Sequence, residues 1–285
     1  MRNNEDRLGA REGNADAPVQ AANQSSDGTF SFATPTEFVE LPSRGRYYSE
    51  EHPLHGKEDI EIRFMTAKDE DILTSQTLIR KGIAVDRLIE NILVDKSINI
   101  DDLYIGDKNA ITVAARITGY GEDYITRVTC PSCRESSDYS FNLKECSTYV
   151  GNIPEQHKHC IEKLESGNHI VTVPASKVKV EVRLMTGRDE QYLSKLAESK
   201  RKNKLPESYL TDQLMRMIVS VNGDSSNSSR QMFVDNMPAR DSKFLRGVYA
   251  EIVPNIDLSQ VYACTSCDFE QEMEVPFTTE FFWPK

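Results

Sequence analysis

No stretch of this 285-residue sequence reaches the roughly 18 consecutive apolar residues that a membrane span needs, so no membrane partner is expected. Residues 1–27 lack the apolar stretch of a secretory signal, and the expectation is a chain made and kept in cytosol. An excess of cations is missing too: 34 Lys and Arg stand against 45 Asp and Glu, a formal net charge of -11. Broad phosphate contact draws on a basic face, so nucleic acid is not an expected partner. There is no G-x-S-x-G, no P-loop, no paired dinucleotide glycines and no H-E-x-x-H. His55, His157, His159 and His169 are scattered without a matching acid or nucleophile. Nothing here points to catalysis or to a small-molecule substrate. Cysteine is scarce, six in all, which is not a secreted disulfide framework. In a reducing compartment, close cysteine pairs bind metal or do redox chemistry.

What is present suffices for a folded protein. Hydrophobic residues make up 38%, enough for a core in about two domains. They are sparse at the start: residues 1–35 are rich in Asn, Asp, Gly, Ala, Gln and Ser, and a composition that buries so little apolar surface reads as a disordered tail. Structure begins near Phe38-Val39-Glu40-Leu41-Pro42, which alternates like a short strand. Ser43 to Tyr48 then reads as a turn leading to aromatic anchors.

The chain also repeats itself. Ile60-Glu61-Ile62-Arg63-Phe64-Met65-Thr66-Ala67-Lys68-Asp69-Glu70 matches Val180-Glu181-Val182-Arg183-Leu184-Met185-Thr186-Gly187-Arg188-Asp189-Glu190. Both predict a strand running into a helix, with Thr66 and Thr186 as N-caps and Asp69 and Asp189 in the first turn. A second block pairs Asp86, Leu88, Ile89, Ile92 and Leu93 with Asp212, Leu214, Met215, Ile218 and Val219, a core-facing helical stripe. A third pairs Asp107, Ile111 and Ala114 with Asp241, Leu245 and Val248, and Cys130 and Cys133 with Cys264 and Cys267. The spacing grows only where the second copy carries polar loops, near Lys202 to Ser208 and over Gly223 to Arg230. The predicted class is α+β: two tandem, pseudo-two-fold-related copies of a strand, three helices and a cysteine-tipped hairpin. The first module spans 36–150 and the second 166–285, with 151–165 as linker. Gly119-Tyr120-Gly121 reads as a helix-ending turn, and Lys68-Asp69-Glu70-Asp71 as a solvated face.

Each C-x-x-C sits between two strand-like runs. A tight turn there aims both thiolates at one ion, and structural zinc takes four ligands. Cys130, Cys133, Cys264 and Cys267 can therefore share a single zinc. Three other readings stand beside this one. Cys130 and Cys133 can recruit His157, His159 or Cys160 instead. The pairs can be redox dithiols, although such pairs usually open a helix. They can also be plain buried thiols. Cys146 has no counterpart and reads as a structural thiol.

Glu40-Leu41-Pro42-Ser43-Arg44-Gly45, Arg63 to Leu73, Ile105-Gly106-Asp107-Lys108-Asn109-Ala110-Ile111, Ala115-Arg116-Ile117 and Cys130-Pro131-Ser132-Cys133 together resemble the baseplate hub proteins of T-even-type myophages. The likeness covers most of 36–145 and recurs weakly in the second module. It implies a non-enzymatic structural protein of the tail baseplate in the virion, assembled in the bacterial host cytoplasm, with other baseplate and tail proteins as partners. The second module and the polar tail depart from the shorter members of that group. Two alternatives remain, a zinc-ribbon adaptor for nucleic acid or a polymerase, and a transient assembly chaperone. The C-terminal Phe281, Phe282 and Trp283 are expected to anchor a partner, or else to fold back and complete the core of the second module.

Overall fold

A computed structural model describes residues 34–276 and 281–282; the tail reading and Trp283 fall outside the described residues. The first elements are an antiparallel pair, β1 (Thr36–Glu40) and β2 (Asp59–Arg63). The loop between them turns on Arg44 and Gly45, both at positive φ. Gly45 is obligatory there, because a Cβ would lie 2.5 Å from the Leu54 carbonyl and the Lys57 nitrogen. Four helices follow: α1 (Ala67–Thr74), α2 (Gln76–Arg80), α3 (Ala84–Ile92) and α4 (Ile105–Tyr120). Gly121, at φ 86°, ends α4 as the glycine pair suggested. Then come the hairpin β3 (Asp123–Thr129) and β4 (Ser136–Asn142), and a short β5 (Ser147–Tyr149).

The second half opens with β6 (Ile161–Lys163), inside the segment read as linker, then β7 (His169–Thr172) and β8 (Lys179–Val182). Helices α5 (Gly187–Lys202) and α6 (Tyr209–Met217) lead to β9 (Ile218–Val221), which completes an antiparallel sheet in the order β6-β7-β8-β9. Then follow α7 (Asn227–Asn236), α8 (Ala239–Ile252), β10 (Asn255–Asp257) paired with β5, and the hairpin β11 (Ser259–Ala263) and β12 (Glu270–Glu274).

Two local readings are corrected here. The stripe expected to stay helical through Ile218 and Val219 leaves the helix at Met217, because the β-branched run pairs with β8 at Val182↔Ile218 and Val180↔Val221. The polar stretch Gly223 to Arg230 is not all loop: Ser226 caps α7, its hydroxyl accepting from the Ser229 N–H, and helix starts at Asn227.

Four buried aspartates organise the halves. Asp69, fully buried, accepts from both Arg63 Nη atoms at 2.7 and 2.9 Å and from the Thr66 N–H at 2.8 Å, closing a capping box. The solvated-face reading therefore fails at Asp69, since a carboxylate with this many donors is held inside. Asp189 accepts the same way from Arg183 at 2.8 and 2.7 Å and from the Thr186 N–H at 3.0 Å. Asp107 accepts from the Ser43 N–H and hydroxyl and from the Tyr48 hydroxyl. Burial without a cation pushes the Asp107 carboxyl up. Asp241 accepts from the Ala175 and Ser176 N–H groups and the Ser176 hydroxyl.

The apolar residues form two clusters. One gathers residues of the first half such as Leu41, Leu88, Ile92 and Ile111; the other gathers Val171, Val180, Leu214 and Leu245. The final hairpin crosses over: Tyr262 and Val275 belong to the first cluster, while α8 just before them contributes Val248 and Ile252 to the second. Lys108 on α4 also bridges the halves, reaching Asp86 at 2.5 Å and Glu190 on α5 at 2.6 Å.

Candidate metal centre

Each cysteine pair occupies a turn closed in the same manner. The Cys130 N–H donates to the Glu135 carbonyl at 2.9 Å, and the Cys264 N–H donates to the Phe269 carbonyl at 2.9 Å. These bonds continue the ladders that end at Thr129↔Ser136 and Ala263↔Glu270. Thus period-two pairing delivers both first cysteines at the tips of their hairpins.

Side chains of the two hairpins then dock. The rings of Tyr139 and Tyr262 meet edge to face at 4.9 Å, and the Tyr139 hydroxyl donates to the Val261 carbonyl at 3.0 Å. Gln260 spans the seam, accepting from the Asn142 N–H and donating to the Asn142 carbonyl. These docking residues were not singled out from sequence. Their signal was the alternation that puts Tyr262 two residues before Cys264, on the same strand face.

The docking brings Cys130 Sγ to 3.9 Å from Cys267 Sγ, and Cys133 Sγ to 3.8 Å from Cys264 Sγ. All four sulfurs lie within 4.8 Å of one another, and none is in a disulfide. Four sulfurs at about 2.3 Å from a tetrahedral zinc stand about 3.8 Å apart, so the spacing fits an ion. Disulfide sulfurs would sit at about 2.05 Å. Cys130 is buried, Cys133 exposed, and the other two half-buried. The Ser266 backbone N–H, at 3.4 Å, and then that of Cys267 hold the Cys264 thiol down. Against the backbone N–H groups of Glu135 and Phe269, burial and the neighbouring sulfurs prevail and push the Cys133 and Cys267 thiols up.

The histidine cluster lies elsewhere. His157 Nδ1 is 2.9 Å from a Glu251 carboxylate oxygen, Cys160 donates to the His157 carbonyl, and His159 is exposed. Cys146 accepts from Gln260 at 3.6 Å, and burial pushes its thiol up. Among the described residues, the four knuckle cysteines are the one His, Cys, Asp and Glu cluster able to hold an ion.

Phe281 and Phe282 are each 2% exposed and join the first apolar cluster. The Phe281 ring meets Tyr124 at 5.1 Å, and its carbonyl accepts from Arg116 Nε at 2.8 Å. Arg116 is buried and spends its other N–H groups on the Gly121 and Asp123 carbonyls. The two rings therefore complete a core, and that core is the one of the first half.

No curated protein and no solved structure matches this chain. The model of one family, described as T4 bacteriophage base plate protein, matches residues 37–283, which takes in both hairpins and all four knuckle cysteines. The fold and its cysteine-bearing hairpins are thus those of a chain that belongs to the T4 bacteriophage base plate protein family.

Proposed function

We propose that this protein is a non-enzymatic structural component of the hub region of a contractile-tail baseplate, built from a duplicated module whose two knuckles share one zinc ion. It acts by binding other baseplate and tail proteins during assembly in the host cytoplasm, and it stays in the virion tail. The observation that carries this reading is the convergence of four sulfurs from positions 131 and 137 residues apart, at the spacing of a tetrahedral ion. Four thiolates leave no open coordination position, so the zinc holds two hairpins together and offers no site for a reacting molecule.

Several pairs of contacts support a duplication into modules 36–150 and 166–285 about a linker at 151–165. Arg63 clamps Asp69 as Arg183 clamps Asp189, each within a threonine capping box. Asp107 on α4 holds the Ser43 turn as Asp241 on α8 holds the Ser176 turn. A nucleic-acid role finds no support, since Asp268, Glu270, Glu272 and Glu274 crowd the second knuckle.

Metal analysis of the purified full chain tests the centre. The expected result is about one zinc per chain, falling in Cys264→Ser together with the melting temperature. Two equivalents, or no change in the variant, refutes a shared site. Detection of the chain in purified virions tests its place, and absence from particles that were assembled in its presence reassigns it to transient assembly.

A further inference from the structure

We infer that two faces of this chain bind each other between copies: the acidic outer face of the β11–β12 hairpin seats in a cationic trough between α2 and α5. The trough consists of two contiguous clefts of about 450 and 470 Å³ that share Arg80, Lys81 and Glu198. Among the described residues, Arg80, Lys81 and Lys195 line it without an ion pair, and Arg201 stands near Glu198. Most of its acids are already engaged: Asp86 by Lys108, Glu90 by Arg87, Asp212 by Lys200 and Glu198 by Lys202. Asp101 and Glu207 are the acids left without an ion pair, so unpaired positive charge prevails in a protein of net charge -11.

The trough also has an apolar lip. Ile79 and Tyr209 line it while 39% and 60% exposed. On the same α5–α6 corner, Leu205 and Leu210 are 55% and 40% exposed. Cations beside uncovered apolar side chains call for an occupant that carries carboxylates around an apolar residue.

The C-terminal hairpin has that composition. Residues 255–276 contain no Lys or Arg. Glu270, Glu272 and Glu274 are exposed and alternate along β12, so they share one face at a spacing of about 6.8 Å. Val261 pairs with Glu272 across the hairpin and is 63% exposed, which puts an apolar side chain amid the three carboxylates. On the opposite face Met273 packs partly against the first cluster, and Val275, just past β12, is buried in it. Trough and hairpin are different surfaces, so the contact is heterologous and propagates from copy to copy until it closes into a ring.

Sedimentation of the zinc-replete full chain tests this. At an ionic strength of about 0.05 M the chain associates, and at about 0.5 M association weakens by about tenfold or more, because screening removes the charge pairing. Arg80→Glu with Lys81→Glu abolishes association, as does Glu272→Lys with Glu274→Lys. A mixture of the two variant proteins regains association, since the reversed hairpin of one fits the reversed trough of the other, and the intact hairpin of the second fits the intact trough of the first. A reversed hairpin fits a reversed trough equally well between copies of a single chain. Combining all four substitutions in one chain therefore restores association. Should a reversal unfold the chain, Arg80→Gln with Lys81→Gln, and Glu272→Gln with Glu274→Gln, serve instead, and each weakens association. A wild-type chain that stays monomeric at low salt overturns the inference. So do oligomers indifferent to both variant sets, or a trough that binds only a different baseplate protein.

Discussion

Asp189→Ala tests the buried scaffold of the second half. The carboxylate is 2% exposed and accepts from Arg183 at 2.7 and 2.8 Å, from the Thr186 N–H at 3.0 Å, and from Arg216 Nε and Nη2 at 3.0 and 2.5 Å. Alanine strands two guanidinium groups and removes the reciprocal half of the α5 capping box. Breaking a buried pair costs about 3–5 kcal/mol. The arginine side chains are 32% and 33% exposed, so water recovers part of that, and the loss lands near the lower bound. Losing the cap adds about 1 kcal/mol. A total of about 3–4 kcal/mol corresponds to a fall in Tm of about 6–15 °C for a chain of this size. Burial alone would raise the Asp189 carboxyl, but hydrogen bonds from Arg183 and from the Thr186 N–H outweigh it and hold it below the usual carboxylate range. Its stabilisation is therefore complete above the unfolded value near pH 4 and is lost as pH falls through the folded one. Urea unfolding of wild type and variant at about pH 7, 5 and 3 reads this as a gap that is equal at the first two and shrinks at the third. A loss below about 1 kcal/mol at pH 7, or a gap that widens in acid, refutes the reasoning.

Two further outcomes follow from packing. Truncation after Glu280 uncovers the sites of Phe281 and Phe282 and takes a carbonyl from buried Arg116; stability falls by about 3 kcal/mol or more in thermal unfolding, and an unchanged Tm shows that the aromatic pair is not core. Gly106→Ala sets a Cβ 2.0 Å from the Pro254 carbonyl oxygen, backbone against backbone. It costs about 1–3 kcal/mol by the same measurement, and a neutral result means that α4 and the Pro254 segment separate freely.

The features legible in sequence were those set by local chemistry. Thr66 and Asp69, or Thr186 and Asp189, announce a helix start because a cap and its partner lie three residues apart. The C-x-x-C pairs announce tight turns for a similar reason. Contacts that reach across the chain stayed hidden. Asp107 was legible only as the counterpart of Asp241, and nothing nearby told of Ser43, 64 residues earlier. Phe281 and Phe282 read either as partner anchors or as core of the second module, because their cover, Tyr124 and Arg116, lies more than 150 residues upstream. The stripe through Ile218 failed for a different reason. Its apolar spacing suits a helix, but a run of Ile, Val, Ser and Val takes the extended form when a strand edge such as β8 is offered.

The crossing of the last hairpin gives the four cysteines their meaning. Each hairpin is a two-stranded sheet, a unit that is marginal by itself in water. Few of its side chains are buried: Tyr124, Thr126, Val128, Cys130 and Phe141 on one, Tyr262 and Val275 at the other. Aromatic docking and the Gln260 bridge bring the tips together, but that seam lies at the surface, with Cys133 and Val261 exposed. Closing a longer loop adds little, since each doubling of length is worth only about 0.6 kcal/mol. Closing a loop of more than 130 residues would still remove about 4–5 kcal/mol of unfolded-state entropy, nearly the same whatever the precise length. An ion shared as proposed would also act locally, tying together two weakly supported hairpins that share no ladder and holding the three glutamates of β12 in fixed register.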